Sequence, residues 1–559
     1  MYDFTTIKNV NYIVIMRTYH IILFSIITML VSCMRKEKID TIVSADKIYL
    51  VDAEFTNQQA MAIDKGKIVA VGTLDEINSK YEAKEFLFFE DKYIFPGFID
   101  PHCHFIGYGQ MLQNPWLGGA DSWEEVVDRV VNYQKENPSQ WVLGRGWNHA
   151  EWRDKNFPTK ELLDKHFPDK PVFLTRIDGH CAIANSVALK MAKIDSKTRI
   201  NGGVVEVVNN QPTGLLIDNA MEYVREIIPE NTTQEKVQQI LVAQKNCFAV
   251  GLTSVTDAGL SYEDIMLYDS LSSGGELKMF INAMIEASEE NINKTLAIRD
   301  SIGEKLSVHS IKMYADGALG SRGALLLEPY SDDPSTSGLQ VNPKEYYTQM
   351  CSIAFDNNLQ VCTHCIGDKA VSMILDIYSN FLTSGNDLRW RIEHSQVVQE
   401  SDFDRYGKFN IIPSIQTTHA TSDMSWAEQR LGDRVKNAYA YKRLLEQNSW
   451  IPNGSDFPIE DINPIYGFYS GVFRKNVKNP QNEGFQVENA LSREQALRAM
   501  TIWAAKADFK ETIRGSLEIG KVADFVVLDT DLMEADESQI TNSKVLKTFV
   551  DGIKVFEQQ

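Results

Sequence analysis

Short apolar runs broken by turns fill both ends of the chain, and apolar runs alternating with amphipathic stretches fill its middle. Between residues 41 and 95 the runs "TIVSADKIYLVD", "QAMAIDKGKIVAVG" and "FLFFEDKYIFP" predict strands, with a hairpin turn at Asp64–Gly66. Residues 515–559 repeat the style in "GSLEIGKVADFVVLDTD" and "KVLKTFVDGIKVFEQ". Two β-rich ends around a different middle predict one small β-sandwich built from 41–95 and 515–559. The middle carries eight strand-like runs, beginning with "YIFPGFIDPHCH" and continuing through "GLTSVTDAG", "LKMFINAMIEA", "VHSIKMYADGALG", "NLQVCTHCIGD", "LRWRIEHSQ", "FNIIPSIQTT" and "SWIPNGSDFP". Strands alternating with helices imply parallel pairing, and eight of them imply a closed barrel. The predicted class is therefore α/β, a (β/α)8 TIM-like barrel over 96–105 and 248–514. Residues 106–247 exceed any ordinary loop and predict a subdomain inserted after the first barrel strand.

One early stretch follows neither rhythm. "MRTYHIILFSIITMLVSC", from Met16 to Cys33, places Arg17 and His20 before an apolar run that is short for a membrane span. That order is the order of a secretory signal, with Met16 as a plausible start and 1–33 as the signal segment. "LVSC" resembles a bacterial lipobox, which makes Cys33 the expected lipidation site. The expectation is an exported protein, lipid-anchored at Cys33 to a bacterial membrane, in the periplasm or at the cell surface. The alternative is an uncleaved membrane-anchoring helix.

Composition narrows the ligand. With 559 residues and 43% of them hydrophobic, the chain can bury a large core. Lys and Arg number 56 against 76 Asp and Glu, a formal net charge of −20, which argues against a nucleic-acid partner and for a small-molecule substrate. Assembly into a homo-oligomer is left open. The "CTHC" stretch, Cys362–Cys365, has the spacing of a zinc or redox pair, but no second such pair exists in the chain.

Chemistry-bearing residues gather at the predicted C-terminal ends of the barrel strands, where such barrels hold their active sites. His102 and His104 close the first strand, Lys312 lies on the fourth, His364 and His394 end the fifth and sixth, and Asp456 ends the eighth. Residues two apart in a strand share a face, so His102 and His104 should converge. An isolated His-X-His is more often a pair of hydrogen-bonded histidines; with four histidines, a lysine and an aspartate it becomes a metal-site inventory.

Taken in order, "PGFIDPHCH", "RIDGHCAIANSVAL", "PTGLLID", "IKMYADGALGSRGALL", "THCIGDKAV", "RIEHSQ", "NGSDFP" and "GSLEIGKVADFVVLD" resemble the amidohydrolase superfamily. Within it they resemble the branch of YtcJ-like proteins and N-substituted formamide deformylase. The resemblance implies the same barrel and composite β-sandwich. It implies that His102, His104 and Asp456 bind one divalent metal ion and that His364 and His394 bind a second. Lys312 stands where many members carry a carboxylated lysine bridging two ions. Without the carbamate the site holds one ion. The bland alternative for Lys312 is a pairing with Asp316, which its place on an apolar strand disfavours. Zinc suits the histidine-rich set, with manganese or iron as other occupants.

Such an ion lowers the pKa of bound water toward ~7 and polarises an amide carbonyl. Asp456 is then the expected catalytic residue, taking the water's proton and passing it to the leaving nitrogen. The resemblance also points to a capping loop with His180 facing the substrate, beside Asp178 and Asn185. Arg322 is a candidate for a substrate carboxylate and His419 a further substrate contact. Trp116, Trp147 and Trp152 either line an apolar pocket or fill a core. Asp368 reads as a helix N-cap. The function expected is metal-dependent hydrolysis of a non-peptide C–N bond in an N-substituted amide, formamide or N-acyl compound. The alternatives are a deaminase or cyclic amide hydrolase on the same scaffold, and a surface lipoprotein that captures a small molecule without turnover.

Overall fold

The computed structural model describes residues 36–558. The expected signal segment and lipidation site Cys33 lie outside the described residues. Among the described residues no helix is long and apolar enough to cross a membrane.

Seven parallel strands make the central sheet: β1 (Phe98–Cys103), β2 (Leu252–Leu260), β3 (Phe280–Glu286), β4 (Leu306–Tyr314), β5 (Gln360–Cys365), β6 (Arg391–His394) and β7 (Ile412–Ser414). They pair in chain order from β1 to β7. The eighth run forms no regular strand. It closes the barrel through two backbone hydrogen bonds on each side: Gly454 N–H to the Ile415 carbonyl (2.9 Å) and Ile415 N–H to the Pro452 carbonyl (3.0 Å), and Asp456 N–H to the His102 carbonyl and His104 N–H to the Phe457 carbonyl (both 2.8 Å). Pro452 lacks a donor for a sheet ladder, and Gly454 lets the segment press against β1. A Cβ on Gly454 would lie 2.6 Å from Asp100 Oδ1.

Both chain ends join in one seven-stranded sheet whose long neighbours, Glu37–Tyr49 and Tyr81–Pro96, run parallel. Phe525–Leu528 from the far end pairs antiparallel with Tyr81–Pro96, so Val43, Ile48, Ile94, Phe525 and Phe549 share one apolar cluster. The hairpin at Asp64–Gly66 is formed: Asn57–Asp64 pairs with Lys67–Gly72. Lys65 and Gly66 both take positive φ, 49° and 74°, as a two-residue turn matched to strand twist requires.

After β1 the chain builds a separate five-stranded sheet in the order Val142–Trp147, Val172–Arg176, Cys181–Ala184, Gln211–Asp218, Gly203–Val208. Trp147 and Trp152 are buried in its own core, whereas Trp116 is 45% exposed. The helix Thr233–Ala249 that leads back to the barrel packs on it through Ile240, Ala243 and Cys247. It supplies the crossover that the parallel β1–β2 pair needs.

The barrel interior is polar. At its floor Asp508 accepts hydrogen bonds from Thr256 (2.7 Å) and Asn282 (2.9 Å), and Arg391 lies 3.7 Å from it. All six described cysteines are free and buried, including Cys362 and Cys365.

Candidate metal centre

Ligand atoms of His102, His394 and Asp456 all lie within 4.8 Å of one another, and all three residues are buried. His102 comes from the end of β1 and His394 from the end of β6; Asp456 follows the irregular eighth segment. Two of them sit on unusual backbone. His394 has φ 72° and Asp456 φ 59°, left-handed values that are uncommon for residues other than glycine. In β6 simple alternation sends Glu393 and His394 to opposite faces; the left-handed turn at His394 brings it back toward the barrel axis.

Hydrogen bonds fix which imidazole nitrogen is available. Glu393 Oε2 lies 2.5 Å from His102 Nδ1, with Arg391 Nε 3.0 Å from the other carboxylate oxygen and all three groups fully buried. Burial raises the Glu393 pKa, but Arg391 and His102 overcome it and hold the carboxylate well below its ordinary value. An ionised carboxylate only accepts, so Nδ1 of His102 carries the proton and Nε2 is a bare lone pair. That Nε2 faces Lys312 Nζ at 3.0 Å and Asp456 Oδ1 at 3.5 Å. Likewise Gln416 Oε1 accepts from His394 Nδ1 at 2.7 Å, which frees Nε2 of His394.

Burial, then neighbouring positive groups, push His364 and His394 well below the usual histidine pKa, so both are neutral near pH 7. Asp456 moves the other way. Burial favours its protonated form, yet His104, His102 and His394 outweigh burial and keep it ionised. Asp456 Oδ1 is buried without a hydrogen-bond partner, although His104 Nε2 lies 3.3 Å away. Neutral imidazoles with free lone pairs around an unpartnered carboxylate oxygen are the donor set of a divalent metal. The residues present fit the group.

The remaining candidates fall at different distances. His104 begins the helix after β1, its ring 6.0 Å from that of His102, and its side chain is the most open of the expected ligands at 27% exposure. His364 has its ring 4.6 Å from His394 but turns Nε2 toward the Gly317 carbonyl at 3.4 Å. The compact triad therefore cuts across the two ligand groups that the resemblance implied. Lys312 is buried and is not paired with Asp316; Asp316 accepts backbone N–H groups of Leu325, Ile366 and Gly367 at 2.8 to 3.0 Å. His419 stacks on His394 with ring centroids 5.8 Å apart, and its Nε2 is 3.9 Å from Asp456.

His180 arrives from the inserted sheet, its ring 4.8 Å from that of His364. Its Nδ1 is 2.7 Å from Asp218 Oδ1. Burial lowers the His180 pKa, and Asp218 more than restores it. The Asp218 carboxylate is seated in the glycine-rich loop after β4, where a Cβ on Gly317 or Gly323 would lie 2.4 or 2.7 Å from its Oδ2. Those glycines make room for the carboxylate that orients His180.

Arg322 stands apart from the centre, ion-paired with Asp332 at 2.9 Å, and Arg430 grips the same carboxylate. Asn185 caps the helix Ser186–Met191 and binds the Val172 N–H. Asp178 pairs with Arg176 at 2.6 Å. Asp368 is the first residue of its helix, and Gly367 is the N-cap. Glu393, Gln416 and Asp218 were missed in the sequence. Glu393 alone carried a local signal, because it shares a strand face with Arg391 two residues earlier.

A barrel with a buried His–His–Asp donor set at the C-terminal ends of its strands defines a metal-dependent hydrolase class. The chain belongs to the amidohydrolase family, whose match spans residues 90–556. It is 31% identical to the putative amidohydrolase YtcJ of Bacillus subtilis over 91% of this chain and 98% of that protein. It is 32% identical to the protein LONG AFTER FAR-RED 3 of Arabidopsis thaliana over 92% and 91%. The N-substituted formamide deformylase of Arthrobacter pascens is 25% identical over 93% and 98%. Among solved structures, an uncharacterized metal-dependent hydrolase from Pyrococcus horikoshii superposes with a TM-score of 0.72 at 27% identity, over 89% of this chain and 99% of that one.

Proposed function

We propose that the protein hydrolyses a non-peptide C–N bond in an N-substituted amide, a formamide or an N-acyl compound. The observation that carries the reading is the convergence of His102, His394 and Asp456, with the lone pairs of both imidazoles freed and Asp456 Oδ1 unpartnered. A divalent ion, zinc for this donor set, supplies activation of water and polarisation of a carbonyl when bound. His102, His394 and Asp456 would hold it, with His104, His364 and a carboxylated Lys312 as the residues that would ligate a second ion.

The chain's own residues do the rest. Asp456 is ionised and accepts a proton at its unpartnered oxygen, then returns it to the leaving nitrogen. His180, oriented by Asp218, covers the substrate from the inserted sheet. His419, whose Nε2 is 3.9 Å from Asp456 Oδ2, is a further substrate contact. The mature protein is exported and lipid-anchored through Cys33 to a bacterial membrane, in the periplasm or at the cell surface.

The test is elemental analysis of protein beginning after Cys33, purified without chelator, followed by assay on N-formyl and N-acetyl amines. One or two ions per chain, with turnover abolished by Asp456→Asn, is the expected result. Failure to take up zinc, or turnover that survives the substitution, overturns the reading.

A further inference from the structure

The long strand Tyr81–Pro96 leaves one edge of the composite sheet open. On one side it pairs in parallel with Glu37–Tyr49, from Tyr81 to Ile94. On the other side Phe525–Leu528 covers only Tyr93–Pro96. Among the described residues no strand lies against that second side between Tyr81 and Lys92. The regular part of the free edge ends at a bulge, where Asp91 takes φ 53° and the register with Glu37–Tyr49 shifts.

The free edge carries an uninterrupted apolar run. Exposed edges are ordinarily blunted by proline, charge or short length, because their N–H and C=O groups pair with any strand offered to them. Here Phe86, Leu87, Phe88 and Phe89 are consecutive. Leu87 and Phe89 pack against the sandwich core, and alternation leaves Phe86 47% and Phe88 59% exposed on the outward face. Lys84 and Glu90 flank the two rings on that face and are exposed too. Lys84 meets Asp40 at 2.6 Å, yet its side chain is 78% open to solvent.

This edge is complementary to itself. Leu87 is the midpoint of the stretch from Glu82 to Lys92. An antiparallel copy related by a two-fold axis at Leu87 sets Phe86 opposite Phe88 and Lys84 opposite Glu90, and the symmetry makes each pair twice. The smallest slip that keeps both faces matched is one step of alternation. One way it puts Glu82 opposite Glu90, and the other way it puts Lys84 opposite Lys92. Like charges therefore oppose the neighbouring registers, and opposite charges favour the central one.

We propose that the protein forms a two-fold homodimer in which the segments 84–90 of two copies pair antiparallel and join the two composite sheets into one. The pairing supplies partners for the free N–H and C=O groups of the edge and covers Phe86 and Phe88. It is independent of the chemistry at the metal centre.

The test is sedimentation equilibrium at micromolar concentrations on the form beginning after Cys33, which contains all the described residues. Wild type is expected to be a dimer. Lys84→Glu and Glu90→Lys each turn two attractive pairs into repulsive ones and are expected to weaken dimerisation about tenfold or more. The double variant exchanges the charges and restores wild-type affinity, although it lacks the Lys84–Asp40 contact just as Lys84→Glu does. Urea unfolding of the dilute proteins reports that each variant is folded. A monomer throughout, a dimer indifferent to both single substitutions, or single losses that the double variant does not repair overturns the proposal. A monomer that instead co-sediments with phosphatidylcholine vesicles, and ceases to do so as Phe88→Ser, assigns the aromatic face to a lipid surface and overturns it as well.

Discussion

Glu393→Gln isolates the tautomer argument in a nearly isosteric change. The carboxylate accepts from His102 Nδ1 at 2.5 Å and stands 3.0 Å from Arg391 Nε, with no water contact at any of the three groups. A glutamine keeps the volume but removes the charge, and its amide can donate to Nδ1. Nδ1 then loses its proton to Nε2, and the lone pair that faces Asp456 and Lys312 is masked. Removing such an orienting partner lowers metal affinity about 10–100-fold, which is about 1.4–2.7 kcal/mol. The loss of its ion pair at Arg391 adds a folding cost of roughly 3–5 kcal/mol, because the carboxylate left beside it, Asp508, is 3.7 Å away. Competition with a chromophoric chelator measures the zinc affinity, and urea unfolding of the metal-free protein measures the second cost. A folded Glu393→Gln protein that binds zinc as tightly as wild type would refute the claim that Glu393 sets the His102 tautomer.

Further outcomes follow from particular contacts. Gly317→Ala places a Cβ 2.4 Å from Asp218 Oδ2, so His180 loses its orientation; turnover is expected to fall while zinc content, read by elemental analysis, stays at the wild-type value. Trp147→Ala opens the core of the inserted sheet and is expected to cost about 3–5 kcal/mol in urea unfolding. Asp423, hydrogen-bonded by Tyr439 at 2.8 Å, has its pKa raised to about 7 by burial, against the opposing effect of His419 and Tyr439. Its folded pKa is above the unfolded value, so its contribution is present at about pH 4 and is lost as pH rises through about 7. Metal-free wild type should therefore lose up to about 1.4 kcal/mol per pH unit relative to Asp423→Asn across that window, measured by urea titrations at successive pH values.

The chain's periodicities were sufficient for the architecture. Apolar runs in alternation with amphipathic stretches made the parallel barrel legible, and β-rich ends made the composite sheet legible, because both follow from the two repeat lengths of regular backbone. The same rule put His102, Lys312 and His364 inside the barrel. It could not place His394, whose inward aim depends on a left-handed turn at the end of β6, or Asp456, which follows a segment without strand geometry. Nor could it pair His180 with Asp218, 38 residues away. Local sequence specifies which face a side chain takes within one element. Which charges meet and which imidazole nitrogen is left bare are settled only when distant elements pack and exclude water, since every partner in those contacts comes from another part of the chain.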